Sequence, residues 1–405
     1  MANCDVWRGQ VAAGLASLMR GLHALSKDAA RERALLLSWA AVGRMSSANL
    51  DEAWQTVDEA AAIAERLDDP AVLGRVLVGK TYCQRLSCQY EAAARTAEKG
   101  LHLLQTGSLW DRADHLVSVV YSAYYLGRFA TCEERLPELE AVAGRAGHHG
   151  ALWAHERVQH GIETARTGDI RRQLGYSAQA LSGPTFRYIS RTSAGVCGLY
   201  LGLVDQALEQ FATVGADQPA DHFLQGMPEA NLFAAAALAG QIDRAQALIP
   251  TVVQWLPVSG RRNIQGSFFA LEAFATGLAL IGERDRCGAL YPLTLDYIQT
   301  GQAVSASTVG PSNPQLAAAL AADAAGLVDQ SREHFETALR QAREVPIRIL
   351  QPTVLYWYGR SLSAATDSAE RLRGRAMVEA ALTDFRALEM VLHANLAEQF
   401  LRAGH

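Results

Sequence analysis

Gly202-Leu-Val-Asp-Gln-Ala207 returns along the chain as Gly240-Gln-Ile-Asp-Arg-Ala245, Gly282-Glu-Arg-Asp-Arg-Cys287 and Gly326-Leu-Val-Asp-Gln-Ser331. Looser copies begin at Ala48, Cys88, Gly127 and Gly168, and the eight starts fall 34 to 44 residues apart. A period in this range is the signature of a stacked repeat, in which each supersecondary unit buries its apolar face only against its neighbours. Each turn is preceded by one helical pattern and followed by another; around Gly202 these are Tyr188 to Leu201 and Asp205 to Val214. Alternating strand patterns are absent, and Ala runs such as Ala234 to Ala237 and Ala317 to Ala319 favour helix strongly. The expected fold is therefore an all-α solenoid of helical hairpins, a binding scaffold before any residue chemistry is considered.

Working outward from the turns gives nine units, at 31–69, 70–108, 109–150, 151–186, 187–222, 223–259, 260–300, 312–346 and 347–386. Breaks fall at Asp68-Asp69-Pro70, Gly147 to Gly150, Ser182-Gly183-Pro184, Ala216 to Pro219 and Ser259-Gly260, all of them turn chemistry. Gly301 to Pro314 is the longest irregular stretch and reads as a surface loop. Residues 1–30 supply a leading cap with its helix over 5–25, and residues 387–405 a closing one with its helix at Val391 to Arg402, as an array needs where its end faces have no neighbour. Pro137, Pro250 and Pro292 each lie ten residues beyond a turn glycine, which predicts a kink at one shared position of the second helix.

Gly195 and Gly161 each sit seven residues before a turn glycine, where a small residue lets the two helices of one hairpin approach closely. With Ala53, Ala93, Ala207 and Ala245 after the turn, and Phe211 and Phe335 four residues further on, the pattern resembles the tetratricopeptide repeat over residues 30–390. The units run longer than that family's, and its Trp and Tyr positions are mostly unfilled. The resemblance implies a right-handed superhelix whose first helices line a concave groove. Tyr358-Gly-Arg-Ser-Leu, a stretched turn from Thr366 to Gly374, and Arg375-Ala-Met-Val-Glu-Ala-Ala-Leu382 resemble the last repeat of bacterial cyclase-linked and LuxR-type signalling ATPases. That likeness implies a sensor part without its motor.

Transferring the family's inner positions by the turn residues gives Arg75, Tyr82 and Arg85 from the second unit, Asp114, Tyr121 and Tyr124 from the third, and His155 from the fourth. The last unit adds Tyr356 and Arg360, whereas the fifth and sixth present Val196, Leu199, Ala230, Ala234 and Ala237. Tyr and Arg bring contact area and directional hydrogen bonds at small entropic cost, which suits recognition of a protein or peptide. The apolar fifth and sixth units leave open a small-molecule effector instead.

Other motifs carry less. Gly74-Arg-Val-Leu-Val-Gly-Lys-Thr81 fits the phosphate-loop pattern letter for letter, but repeat phase puts it in a helix, without the preceding strand and glycine-rich cradle that nucleotide binding needs. His155 and His160 are five apart and diverge by about 140° on a helix, so they do not form a zinc pair. The six cysteines lack metal spacing and read as small core residues of a reduced, cytoplasmic protein. No acid, base or nucleophile stands out, so neither an enzyme nor a cofactor is expected. A net charge of −5 gives no pull toward nucleic acid or anionic membrane, and Arg171-Arg172 and Arg261-Arg262 read as solvated faces. No run of about 20 apolar residues is present to span a membrane.

Overall fold

The computed structural model describes residues 11–26, 28–105, 107–181, 187–217, 222–305 and 313–403. It is an all-α helical-repeat solenoid, with no strand among the described residues. Helix α1 (Val11–Ala24) leads. The hairpins follow as α2 (Ala30–Ser46) with α3 (Leu50–Arg66), α4 (Pro70–Leu86) with α5 (Tyr90–Leu103), α6 (Leu109–Tyr125) with α7 (Phe129–Ala146), and α8 (His149–Thr167) with α9 (Ile170–Ala180). Next come α10 (Arg187–Tyr200) with α11 (Val204–Asp217), α12 (Met227–Leu238) with α13 (Ile242–Val253), and α14 (Gln265–Ile281) with the split pair α15 (Arg284–Gly288) and α16 (Tyr291–Ile298). Helices α17 (Pro314–Ala324) with α18 (Val328–Glu344) and α19 (Leu350–Ser363) with α20 (Ser368–Ala387) complete the hairpins, and α21 (Val391–Arg402) closes the chain.

All eight turn positions read from the sequence adopt left-handed backbone, with φ from 56° at Cys88 to 80° at Gly202. At seven of them the next amide reaches back to the carbonyl five residues earlier, as in Arg128 N to Ala123 O at 2.8 Å and Leu203 N to Gly198 O at 2.8 Å. This closure satisfies carbonyls that the helix end would otherwise leave orphaned. Gly168 differs: its own amide bonds Thr164 O at 2.8 Å, a single-bond closure after the longest of the first helices. Glu389 makes a further turn of the common type, with Met390 N bonded to Phe385 O at 2.8 Å.

The small residue five places after the turn has a physical cause. Ala53, Ala93, Ala207 and Ala245 are buried against the first helix. Where the residue carries a donor, it bonds the first-helix carbonyl twelve residues back. Cys132 donates to Val120 O at 3.4 Å, Ser331 to Ala319 O at 3.1 Å, and Cys287 to Ala275 O at 3.7 Å. A larger side chain would push the hairpin apart. Helix entry is capped in the expected way at Asp69, which accepts from Ala71 N and Val72 N while Pro70 occupies the first helical position.

Three local expectations are corrected. Gly195 does admit its partner helix, since a Cβ there would come within 2.8 Å of the Phe211 ring; Gly161, however, makes room for Tyr124 of the preceding hairpin. Pro137 and Pro250 lie inside continuous helices, but Pro292 falls where the helix has already stopped, at the start of α16. The stretched turn at 366–374 is short, because Asp367 caps α20 by accepting from Ala369 N. Gly374 then lies within α20, where the lack of a Cβ lets its backbone meet that of Gly359 on α19. The break at Ser182-Gly183-Pro184, the second half of the one at Ala216 to Pro219, and residues 306–312 of the expected loop lie outside the described residues, as does the start of the leading helix before Val11.

The superhelix also closes on itself, which the repeat pattern does not reveal. Gln265 Nε2 donates to the Tyr90 hydroxyl at 2.9 Å, and that hydroxyl donates to Gln302 Oε1 at 3.2 Å. Ala303 N and Val304 N both bond Tyr125 O, and Arg348 N bonds Ala165 O at 2.8 Å. Arg171 pairs with Glu389, and Tyr200 packs its ring edge-to-face on His393. The hydrogen-bonded pairs are separated by 175 to 218 residues along the chain. Later hairpins therefore stack on the turns of earlier ones, and first helices such as α14, enclosed on every side, are buried continuously from Gln265 to Leu278.

Candidate functional site

Three cavities among the described residues bear on function. The inner face of α4, α6 and α8 is where the sequence placed most of the candidate residues. There the second turn of the superhelix, through Phe223, Leu224, Gln265 and Phe269, closes over the first and leaves a cavity of about 40 Å³. A water needs about 10–15 Å³ of such space, so the interior accommodates a few waters and not a peptide. A second cavity of about 80 Å³ lies between Tyr124, Val196, Cys197 and Ile347. The third is a cleft of about 690 Å³ along α14, α17, α18 and α19, edged by α20 and α21.

In the inner cavity Arg85, only 8% exposed, lies between the faces of Tyr82 and Tyr121, with its guanidinium carbon 5.1 Å from each ring centroid. Burial pushes the Tyr121 hydroxyl up to about 12, so it stays protonated at neutral pH. Tyr82 bonds Ser46 Oγ at 3.1 Å and is half-buried at the rim. The other expected residues lie elsewhere. Arg75 forms a 2.9 Å ion pair with buried Asp111. Burial raises the Asp111 carboxyl above its usual range, with Arg75 partly opposing. Asp114 turns away from the cavity and accepts from His148 Nε2 at 3.1 Å. Because His148 Nδ1 accepts from Ala151 N, Nε2 carries the ring proton and His148 bridges as a neutral imidazole. Tyr124 stacks on Phe129 and meets Tyr125 edge-on within the core. His155 is buried, with Nε2 4.0 Å from Glu140.

The register slips most in the fourth unit. Trp153 and Arg157, four apart on α8, face the cavity, and the transferred positions named His155 instead. The single-bond turn at Gly168 and the 19-residue length of α8 explain this, since inner positions counted back from a different closure rotate around the helix. In α6 it is Tyr125, beside Tyr121, that reaches the cavity, one residue on from Tyr124. Trp153 and Arg157 were legible only as an i, i+4 pair of large side chains.

The phosphate-loop look-alike is the middle of α4. Gly79 packs on Ser38, Thr81 Oγ1 donates to Val78 O within the helix, and Lys80 Nζ lies 3.8 Å from Asp58. No group of three potential metal ligands occurs among the described residues. Cys83, Cys88, Cys132, Cys197 and Cys287 are free and buried, and burial pushes the last four up to about 12, leaving poorly nucleophilic thiols. Arg171 and Arg172 are paired with Glu389 and Glu163, and Arg262 stacks over Trp54 at 4.6 Å. Among the described residues no helix is long and apolar enough to cross a membrane.

In the large cleft, Arg360 lies over Trp357 at 4.9 Å and Phe400 at 5.9 Å, and NH1 donates to buried Tyr356 Oη at 3.4 Å. Around it, Arg332 is paired with Glu370 at 2.7 Å, and Asp323 takes Ser361 Oγ at 2.5 Å and Arg284 at 3.8 Å. The walls thus carry three cations against two anions, and among the described residues no carboxylate lies within 4.0 Å of Arg360. No protein-family model matches this chain, and no curated protein matches it.

Proposed function

We propose that this chain is a non-enzymatic scaffold or sensor that binds an extended peptide segment, carrying an acidic residue, in the cleft along its last three hairpins. The observation that carries the reading is the cleft of about 690 Å³ with Arg360 held over the rings of Trp357 and Phe400 and without a carboxylate partner among the described residues. Its volume lies within the range of ligand sites, about 300–1,000 Å³. Its charged walls favour a partner that brings hydrogen-bonding groups over a greasy small molecule. A guanidinium stacked on aromatic rings retains its in-plane donors, and these suit a carboxylate held side by side. The likeness to sensor repeats of bacterial signalling ATPases makes cytoplasmic signal transduction or transcriptional regulation the setting we favour.

The test is selection of peptides from a random displayed library on the purified chain, followed by fluorescence polarisation. Selected peptides should be enriched in Asp or Glu. Arg360→Ala should weaken them by about tenfold or more, as for an interface anchor, while Arg95→Ala, on the exposed face of α5, should change nothing. Selection without acidic enrichment, or peptides that bind Arg360→Ala as well as the native chain, would refute the proposal.

A further inference from the structure

We infer that the closed interior of the superhelix holds a second site, for a small oxyanion gripped by Arg85. This site is separate from the cleft of the last three hairpins, and it stands whether or not that cleft takes a peptide. Arg85 is more than nine-tenths buried as a residue, and its buried Nε makes no hydrogen bond. Its neighbours on either side are the π faces of Tyr82 and Tyr121, which favour a cation but accept no in-plane hydrogen bond. Among the described residues no carboxylate comes within 4.0 Å of it. A buried charge without a hydrogen-bonding counter-ion is strongly unfavourable, so an anion that enters gains what the fold leaves unsatisfied.

The cavity is formed for such a guest. Arg85 and Arg157 are the charged residues on its wall, and both are cations. Asp114 is not part of this wall; it shares with Arg85 a separate void of about 10 Å³, makes no ion pair with it, and has one oxygen already taken by His148. Apart from Gln265, whose amide donates to the Tyr90 hydroxyl, the rest of the wall is apolar or aromatic, including Tyr125, Trp153 and Phe269. Low-dielectric walls strengthen a charge-assisted hydrogen bond, and a planar guanidinium offers two parallel donors to a carboxylate or phosphate. About 40 Å³ admits three water-sized groups, which sets the guest at the size of acetate or inorganic phosphate. Tyr82, Trp153 and Arg157 are only half-buried, so entry is from their side.

The two chemistries, a short carboxylate and a free phosphate, are separated by the probes. Thermal shift and isothermal titration would be run on the native full chain with sodium acetate and, separately, sodium phosphate. Ionic strength would be matched with sodium gluconate, whose anion is too large for the cavity. A saturable rise in Tm and a measurable heat with at least one probe are expected, and the tighter probe identifies the guest. Arg85→Gln should weaken that binding at least tenfold, the loss expected for a charge-assisted pair. Arg95→Gln should leave it unchanged. Removing the charge should also raise the Tm of the anion-free protein, so Arg85→Gln reports on the site even without a guest. No saturable effect of either probe on the native chain, or an effect that survives Arg85→Gln, overturns the inference. An Arg85→Gln chain less stable than native in gluconate alone also overturns it, because Arg85 would then be satisfied from within the fold.

Discussion

Gly127 and Gly240 occupy the same repeat position with the same φ of 74°, yet alanine should affect them very differently. Forcing an L-residue into left-handed backbone costs about 1–2 kcal/mol. Ala48 and Cys88, at φ 57° and 56°, show that this chain accommodates the conformation. At Gly240 a Cβ would meet nothing within 4 Å, so that backbone term is the whole expected effect. At Gly127 the same atom would come to 2.6 Å and 3.1 Å from the two methyls of Val345 and 3.3 Å from Ala303 Cβ. Val is stiff about χ1 and cannot swing aside cheaply. Ala303 is pinned by its own amide bond to Tyr125 O. Overpacking of this kind adds about 1–3 kcal/mol, which puts Gly127→Ala at about 2–5 kcal/mol against about 1–2 for Gly240→Ala.

Urea denaturation of the full chain gives the total, and amide exchange gives the location, because a repeat array can open in parts. Gly127→Ala should accelerate exchange at Ala303 and Val304, whose amides bond Tyr125 O, while Gly240→Ala should leave them protected. Equal destabilisation by the two substitutions, with unchanged protection at 303–304, would refute the stacking of later hairpins on earlier turns.

Lys80→Ala should leave any ATP affinity of the chain unaltered in equilibrium dialysis, since its amine faces Asp58 on a helix; tight ATP binding lost on this substitution would restore a phosphate site at 74–81. Burial lowers the His393 imidazole to about 4 from an ordinary value of about 6.5. With the folded pKa depressed, the associated stability is complete above about pH 6.5 and is lost as pH falls toward 4, because the unfolded chain takes up the proton first. Urea midpoints should therefore decline across that window, and His393→Phe, which keeps a ring between Tyr200 and Phe385, should flatten the decline. An unchanged slope in His393→Phe would rule out His393 as the titrating group.

Much of the fold was written locally. A left-handed residue, a small residue five places on and a helix to either side are short-range requirements, and the chain meets them together at seven of its nine repeats. That is why the eight turn positions and the closing helix at Val391–Arg402 could be read directly. Arg85, Tyr82 and Tyr121 were also legible as inner-face residues, because α4 and α6 follow the shared turn geometry. Where the turn changed, at Gly168, the reading slipped, and Trp153 and Arg157 took the place given to His155.

Sequence by itself could not say whether the inner face is open. The tilt of each hairpin on the next depends on contacts such as Gly161 with Tyr124, Gly79 with Ser38, and Gly277 with Phe233. Small differences in side-chain volume accumulate over successive units, and only their sum decides whether residue 90 meets residue 302. The repeat determines that a superhelix forms. The packing of its members determines that the superhelix closes, that its groove shrinks to a small cationic cavity, and that the roomy surface lies instead along the last three hairpins.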